Sequence, residues 1–193
     1  MIGAVVLAAG RATRFGGGKV LAPWRGVPIV RHVVDRLGLA ALSPVIVVCA
    51  EGEEERALRG ALGGTEARIV VNPRPDDGLS ASLRLGVEAL PPELSAFVVA
   101  LGDQPALEVA VVRQMTERWR DSNAAAVVPV YRGVRGNPVL FDDTMRRHLV
   151  ALRGDAGARD LLEAMGDRVA WVAVDLEAPR DVDTPDDLRA LGD

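Results

Sequence analysis

The sequence predicts a Rossmann-like, three-layer α/β/α fold with a mainly parallel sheet and a small antiparallel hairpin insertion, in a single domain spanning residues 1–193. Three observations carry this. Runs rich in Val, Ile and Ala recur along the chain, and most lack strict in-out alternation, as strands buried on both faces do. Amphipathic segments of helical period separate them. One pair of extended runs is joined by a short glycine-containing turn, the mark of a hairpin.

Taken in order, IGAVVLA (2–8) is the first buried strand. PIVRHVVDRLG (28–38) is a helix with proline in its first turn, where no amide partner is lost. PVIVVCA (44–50) and ARIVVN (67–72) are strands flanking the helix EEERALRGAL (53–62). SASLRLGVEAL (80–90) and EVAVVRQMTERW (108–119) are helices on either side of the strand AFVVALG (96–102). VVPVYRGVRGNPVLF (127–141) is the hairpin. DAGARDLLEAM (155–165), the strand RVAWVAV (168–174) and the short helix PDDLRAL (185–191) complete the chain. No repeat, linker or low-complexity tract interrupts this order.

Composition excludes several classes of function. Apolar residues make up 49% and charged residues 26%, enough for a sizeable core. Cys49 is the one cysteine, so an internal disulfide and a thiolate zinc site are excluded, and a reducing cytoplasm is the expected location. Within PVIVVCA it reads as a small core hydrophobe. His32 and His148 stand alone on helical patterns and suggest no metal site. No stretch is apolar and long enough to span a bilayer, and Met1 leads straight into a strand rather than a signal peptide. A net charge of -4 argues against a nucleic-acid polymer as partner. Yet Arg11, Arg14, Lys19, Arg25, Arg31 and Arg36 face the single acid Asp35 over residues 1–38, a local attraction for a small phosphorylated ligand.

Ligands of such sheets bind at the carboxyl ends of strands, which directs attention to the loop LAAGRATRFGGGK (7–19). It ends in Lys19, the sole lysine beside 22 arginines. A chain so biased keeps a lysine where a compact, flexible ammonium is needed rather than a planar fork. Two familiar phosphate motifs fail here. A dinucleotide fingerprint needs glycine where Ala12 stands, and a Walker A loop needs glycine at Thr13 and Ser or Thr at Val20. What remains is the strand end at Leu7, a small-residue turn Ala8-Ala9-Gly10, and then a glycine-rich basic loop. Its amides, with Arg14 and Lys19, suit a triphosphate.

Asp103 follows a buried strand and precedes Gln104-Pro105, which sets a carboxylate at the sheet edge, suited to Mg2+ or to capping a helix. In RDVDTPDDL, Asp181 and Asp183 are spaced to point to one side of an extended segment. Thr184 caps the helix begun by Pro185, which accounts for Asp186 and Asp187 in its first turn. Between the third strand and its helix lie Asn72, Gly78, Ser80 and Ser82, with Ser80 suited to an N-cap. Asp155 suits either a helix cap or a pocket wall.

LAAG-x3-RFGGGK, together with NPRPDDGLSASLRLG, LGDQP, RGNPVLF, RGDAGARDLL and DVDTPDDL in that order, resembles the molybdenum-cofactor nucleotidyltransferase family of MobA and MocA type. GDQP and GDAGAR are particularly similar to the MocA, cytidylyltransferase branch. The resemblance implies a Mg2+-dependent enzyme that transfers a nucleoside monophosphate, CMP from CTP rather than GMP given Ala9, to a phosphorylated acceptor, molybdopterin in first place. It implies Lys19 and Arg14 on the triphosphate and Asp103 with Asp183, or Asp181, on the metal. It puts Asn72, Gly78, Ser80 and Ser82 at the base and sugar. Gln104, Arg132, Gly136, Asn137, Pro138 and Asp155 fall near the acceptor, and a molybdoenzyme is the implied recipient of the product. Two positions depart from the family pattern: Gly18 stands where relatives often have proline, and Asn137 where the MocA branch commonly has histidine. Transfer to another phosphorylated acceptor, a nicotinamide-dependent oxidoreductase and a non-catalytic nucleotide- or cofactor-binding protein are the alternatives.

Overall fold

The computed structural model describes residues 1–10, 15–154 and 158–192. In chain order the elements are β1 (Ile2–Leu7), β2 (Pro23–Trp24), β3 (Val27–Pro28), α1 (Ile29–Leu39), β4 (Val45–Ala50), α2 (Glu53–Ala61), β5 (Arg68–Asn72) and α3 (Leu79–Glu88). They continue with β6 (Ala96–Leu101), α4 (Val109–Arg120), β7 (Ala126–Tyr131), β8 (Val134–Arg135), β9 (Val139–Asp142), α5 (Arg146–Val150), α6 (Arg159–Met165), β10 (Val169–Val174) and α7 (Pro185–Ala190).

The main sheet runs β10-β7-β9-β6-β1-β4-β5, with β8 paired to β7. β1 is parallel to both β4 and β6, β5 is parallel to β4, and β10 to β7. β9 is antiparallel to both β6 and β7. The predicted hairpin is therefore present, and its return strand is wedged into the middle of the sheet. The ribbon β2–β3, with Arg25 and Gly26 both at positive φ in its turn, was not anticipated. Two residues per strand are too few to display a period.

Alternating side chains of the central strands feed two cores. Ala4 and Val6 meet Val33, Leu37, Leu58 and Met115 of α1, α2 and α4 on one face. Val5 and Leu7 meet Leu83, Val87, Leu149 and Leu162 of α3, α5 and α6 on the other. Close approach depends on missing side chains. A Cβ on Gly86 of α3 would lie 2.4 Å from Val5 Cγ1 and 2.9 Å from Val48 Cγ2. In-register pairing of Leu7 with Leu101 and Val48 levels the strand ends, so the loops that follow them open onto one crevice.

Candidate active site

The first wall of this crevice is the segment after β1. The Ala8 amide donates to Val48 O at 2.8 Å, and Gly102 donates back to Leu7 O at 2.9 Å. A Cβ on Gly102 would lie 3.0 Å from Ala8 Cβ, so glycine lets the next residue, Asp103, sit directly beside the Ala8-Ala9-Gly10 turn. Gly16, Gly17 and Gly18 all adopt positive φ, a run open to glycine and strained for other residues. Lys19 then begins a 3-10 turn, Lys19–Leu21, while Val20 enters the core. Arg14 lies outside the described residues.

Lys19 is the centre of the site. Its Nζ donates to Asp103 Oδ2 at 2.6 Å and to Asp183 Oδ1 at 2.9 Å. The side chains of Lys19 and Asp103 are 11% and 20% exposed, that of Asp183 47%. Burial acts to lower the Lys19 pKa, but hydrogen bonds and attraction from the two carboxylates outweigh it and hold the pKa above its ordinary value. Asp103 Oδ1 is buried and makes no hydrogen bond among the described residues. An acceptor atom left so is costly unless a cation or donor approaches it.

The second carboxylate is brought in by the C-terminal segment. Val182 is fully buried against Trp24 and Ile29, and its amide donates to Asp103 O at 3.0 Å. On the other flank, Thr184 caps α7 as the sequence predicts, and Asp187 completes a capping box with it. Asp187 also accepts the Asp183 amide at 3.2 Å, so the cap holds the backbone of the carboxylate that meets Lys19. Asp181 turns instead to Gln104, whose Nε2 donates to Asp181 Oδ1 at 2.7 Å. Desolvation, then the negative charges of Asp103 and Asp183, raise the Asp181 pKa against the lowering effect of that hydrogen bond.

Above Asp103 lies a cavity of about 300 Å3. Leu7, Ala8, Ala9, Gly10 and Lys19 line one side, Gly78 and Ser82 the other. Five residues of the first loop and two of the α3 loop that the sequence singled out are thus together. Pro75, Leu79 and Leu101 also line it and were not anticipated; Leu79, a leucine 41% exposed, carried the only signal, an apolar residue between Gly78 and Ser80. Asn72 stands behind this wall. Its Nδ2 donates to Ser82 Oγ at 2.9 Å and its Oδ1 accepts the Arg74 amide at 2.9 Å, an arrangement that shapes the loop from within. Ser80 does not cap α3: Gly78 occupies the cap position at φ 91, which favours glycine, and Ser80 is buried one residue inside the helix.

A second cavity, of about 280 Å3, shares Leu79 and Leu101 with the first. Gly136 and Asn137 line it with Arg135 and Arg159 over an apolar floor that includes Val128 and Leu162. Tyr131 Oη donates to Asn137 O at 2.9 Å, and a Cβ on Gly136 would strike the Tyr131 ring at 2.8 Å. Pro138 follows, buried, through a cis peptide. Arg132 stands apart on the exposed β7–β8 turn, paired with Asp175 and Glu177. Asp155 lies outside the described residues.

A crevice outside the carboxyl ends of parallel strands is where open α/β sheets bind their ligands, and here one lysine faces two carboxylates within it. Comparison with known proteins makes the class specific. The MobA-like NTP transferase domain profile matches residues 4–169, and the chain belongs to that family of nucleotidyltransferases. It is 28% identical over 97% of its length, and 93% of the relative's, to the molybdenum cofactor cytidylyltransferase of Escherichia coli K12. It is 36% identical over 129 residues to a probable molybdenum cofactor guanylyltransferase of Thermococcus kodakarensis, covering 67% of this chain and 59% of that protein. Among solved structures, Rv0371c of Mycobacterium tuberculosis H37Rv superposes with a TM-score of 0.84 at 32% identity, covering 98% of this chain and 96% of that one. That protein has also been solved in complex with manganese. Membership in this family leaves the oxidoreductase alternative without support. No helix among the described residues is long and apolar enough to cross a membrane.

Proposed function

We propose that this chain transfers CMP from CTP to the terminal phosphate of molybdopterin, forming molybdopterin cytosine dinucleotide and releasing pyrophosphate. The observation that carries the reading is the convergence of Lys19, Asp103 and Asp183 at the cavity lined by residues 7–10. The near full-length likeness to a cytidylyltransferase, and Ala9 in the first turn, favour cytosine.

In this reading the triphosphate lies along the Ala8-Ala9-Gly10 turn, with Lys19 and Arg14 offsetting its charge. Gly78 and Ser82 stand over the nucleoside, and Asn72 keeps their loop in shape. The acceptor occupies the neighbouring cavity near Gly136, Asn137 and Pro138. An acceptor phosphate oxygen attacks the α-phosphorus in line; that P–O bond forms as the bond to the β-phosphate breaks, and pyrophosphate departs. An ionised phosphate needs no general base, so the protein's contribution is positioning and charge neutralisation.

Asp103 and Asp183 fit a divalent metal. They already converge on one cation, and Asp103 Oδ1 is buried without a hydrogen-bonding partner among the described residues. Mg2+ bound by them would neutralise and orient phosphate oxygens. Asp181, engaged by Gln104, is the lesser candidate.

Guanylyl transfer by the same site is the second reading, favoured by the guanylyltransferase relative. Pyrophosphate release from CTP, GTP and ATP, each with Mg2+ and molybdopterin, separates the two. CTP is expected to react fastest. At equal concentrations it should also stabilise the fold most, by about 2.7 kcal/mol where CTP is at a hundredfold excess over its Kd. Faster release from GTP overturns the base assignment, and release only with a different phosphorylated acceptor overturns molybdopterin.

A further inference from the structure

We infer that Lys19 is a resident surrogate cation: its ammonium holds Asp103 and Asp183 together ahead of any metal, so that a divalent cation enters the pair only along with nucleotide phosphates, onto which Lys19 then moves. The inference rests on the proposed metal role of the two carboxylates and goes beyond it.

The geometry supplies the reasons. One ammonium bridges two carboxylates at 2.6 and 2.9 Å, and a pair of carboxylates draws a dication electrostatically. The ammonium stands in its way. The Lys19 side chain is 11% exposed, so displacing it by metal alone strands a largely buried cation without a counter-charge. Such stranding is strongly unfavourable. Nucleotide alone is also opposed, because its phosphates approach Asp103 and Asp183 with like charge. Arriving together, the two solve both problems. Phosphate oxygens complete the coordination that Mg2+ requires beyond one or two carboxylates, and the same phosphates receive the ammonium.

The exchange does not call for the loop to rearrange. Lys19 begins a turn closed by the Leu21 amide on Gly18 O at 2.9 Å, and Val20 is held in the core. Only the four-carbon stem has to rotate. This is a task for lysine, whose compact charge keeps its strength in any rotamer, and not for arginine, whose fork is directional.

Because Lys19 is the sole lysine, protein labelled with 15Nζ-lysine gives one side-chain signal. With magnesium chloride alone that signal is expected to stay in place; with magnesium chloride and CTP together it is expected to move. Independently, Lys19→Met should bind Mn2+ without nucleotide at least about tenfold tighter than wild type, as a competing cation is gone. Arg25→Met, which removes a positive charge on the neighbouring hairpin, should leave Mn2+ affinity unchanged. A signal that moves fully with magnesium alone overturns the inference. So does equal Mn2+ affinity of wild type and Lys19→Met, or no Mn2+ binding by that variant. If CTP-dependent pyrophosphate release persists beside such results, the transferase reading stands and only the surrogate role falls.

Discussion

The backbone amide of Val182 donates to the carbonyl of Asp103 across 3.0 Å, while Gln104 and Asp181 join their side chains at 2.7 Å alongside. These two bonds lace the C-terminal segment to the end of β6 and set Asp183 opposite Asp103. Gln104, which the family resemblance puts near the acceptor, is therefore expected to act through position. Gln104→Ala should lower kcat and weaken Mn2+ binding while the KM for the acceptor changes little. A selective rise in acceptor KM, measured by pyrophosphate release, would return Gln104 to the acceptor pocket.

Lys19→Ala removes the charge that meets two carboxylates at rest and, in the proposed function, the triphosphate during turnover. Transfer should slow on the order of a hundredfold, the scale of losing one preorganised electrostatic contact. Lys19→Arg should also impair turnover, because a planar guanidinium does not fit a niche built for an ammonium that is 11% exposed. Wild-type rates for the arginine variant would mean that the sole lysine has no special task.

Asp103→Asn is expected to abolish transfer and Mn2+ binding in the presence of CTP, since it removes the charge and almost no volume. Asp183→Asn should leave a residue of activity, because Asp181 lies close by on the same segment. Circular dichroism and thermal melts are the check that both variants fold. Full activity of Asp103→Asn sinks the metal site.

Gly86→Ala probes the close approach of α3 to the sheet. Its new methyl would sit 2.4 Å from Val5 Cγ1, in a core with no space to yield. A loss of about 1–3 kcal/mol in urea unfolding is expected, the range for overpacking. A neutral outcome would mean that α3 rides higher on the sheet.

Cys49 is fully buried in β4, and burial, assisted by the charges of Glu55 and Glu54, pushes its thiol pKa up to about 11. Against an unfolded value of about 8.5, the buried thiol contributes stability that is fully present below that pH. It is lost as pH rises toward the folded pKa, where the unfolded chain has released its proton and the native one has not. Native protein should resist Ellman's reagent at pH 8 and react once unfolded. Rapid labelling of the native state would show the strand to be open.

Local order along the chain determined most of the fold and the actors of the site. Uninterrupted apolar runs marked the buried strands, and Asp103 at the end of one had to emerge at the sheet edge. Thr184-Pro185 followed by Asp187 spelled a helix start, because a cap is made within four residues. The Gly16–Gly18 run leading to Lys19 announced a backbone that only glycine adopts freely. Tertiary structure alone decided who meets whom. Lys19 and Asp103 are 84 residues apart, Lys19 and Asp183 164, and no periodicity of 2 or 3.6 reports a contact at that separation. It wedged β9 between β6 and β7, where its register is shared with two neighbours, one of them distant in sequence. It also directed Asn72 to Ser82 and Arg132 to Asp175 and Glu177. A side chain's type limits the partners it can accept, but only the folded chain determines which of them lies within 3 Å.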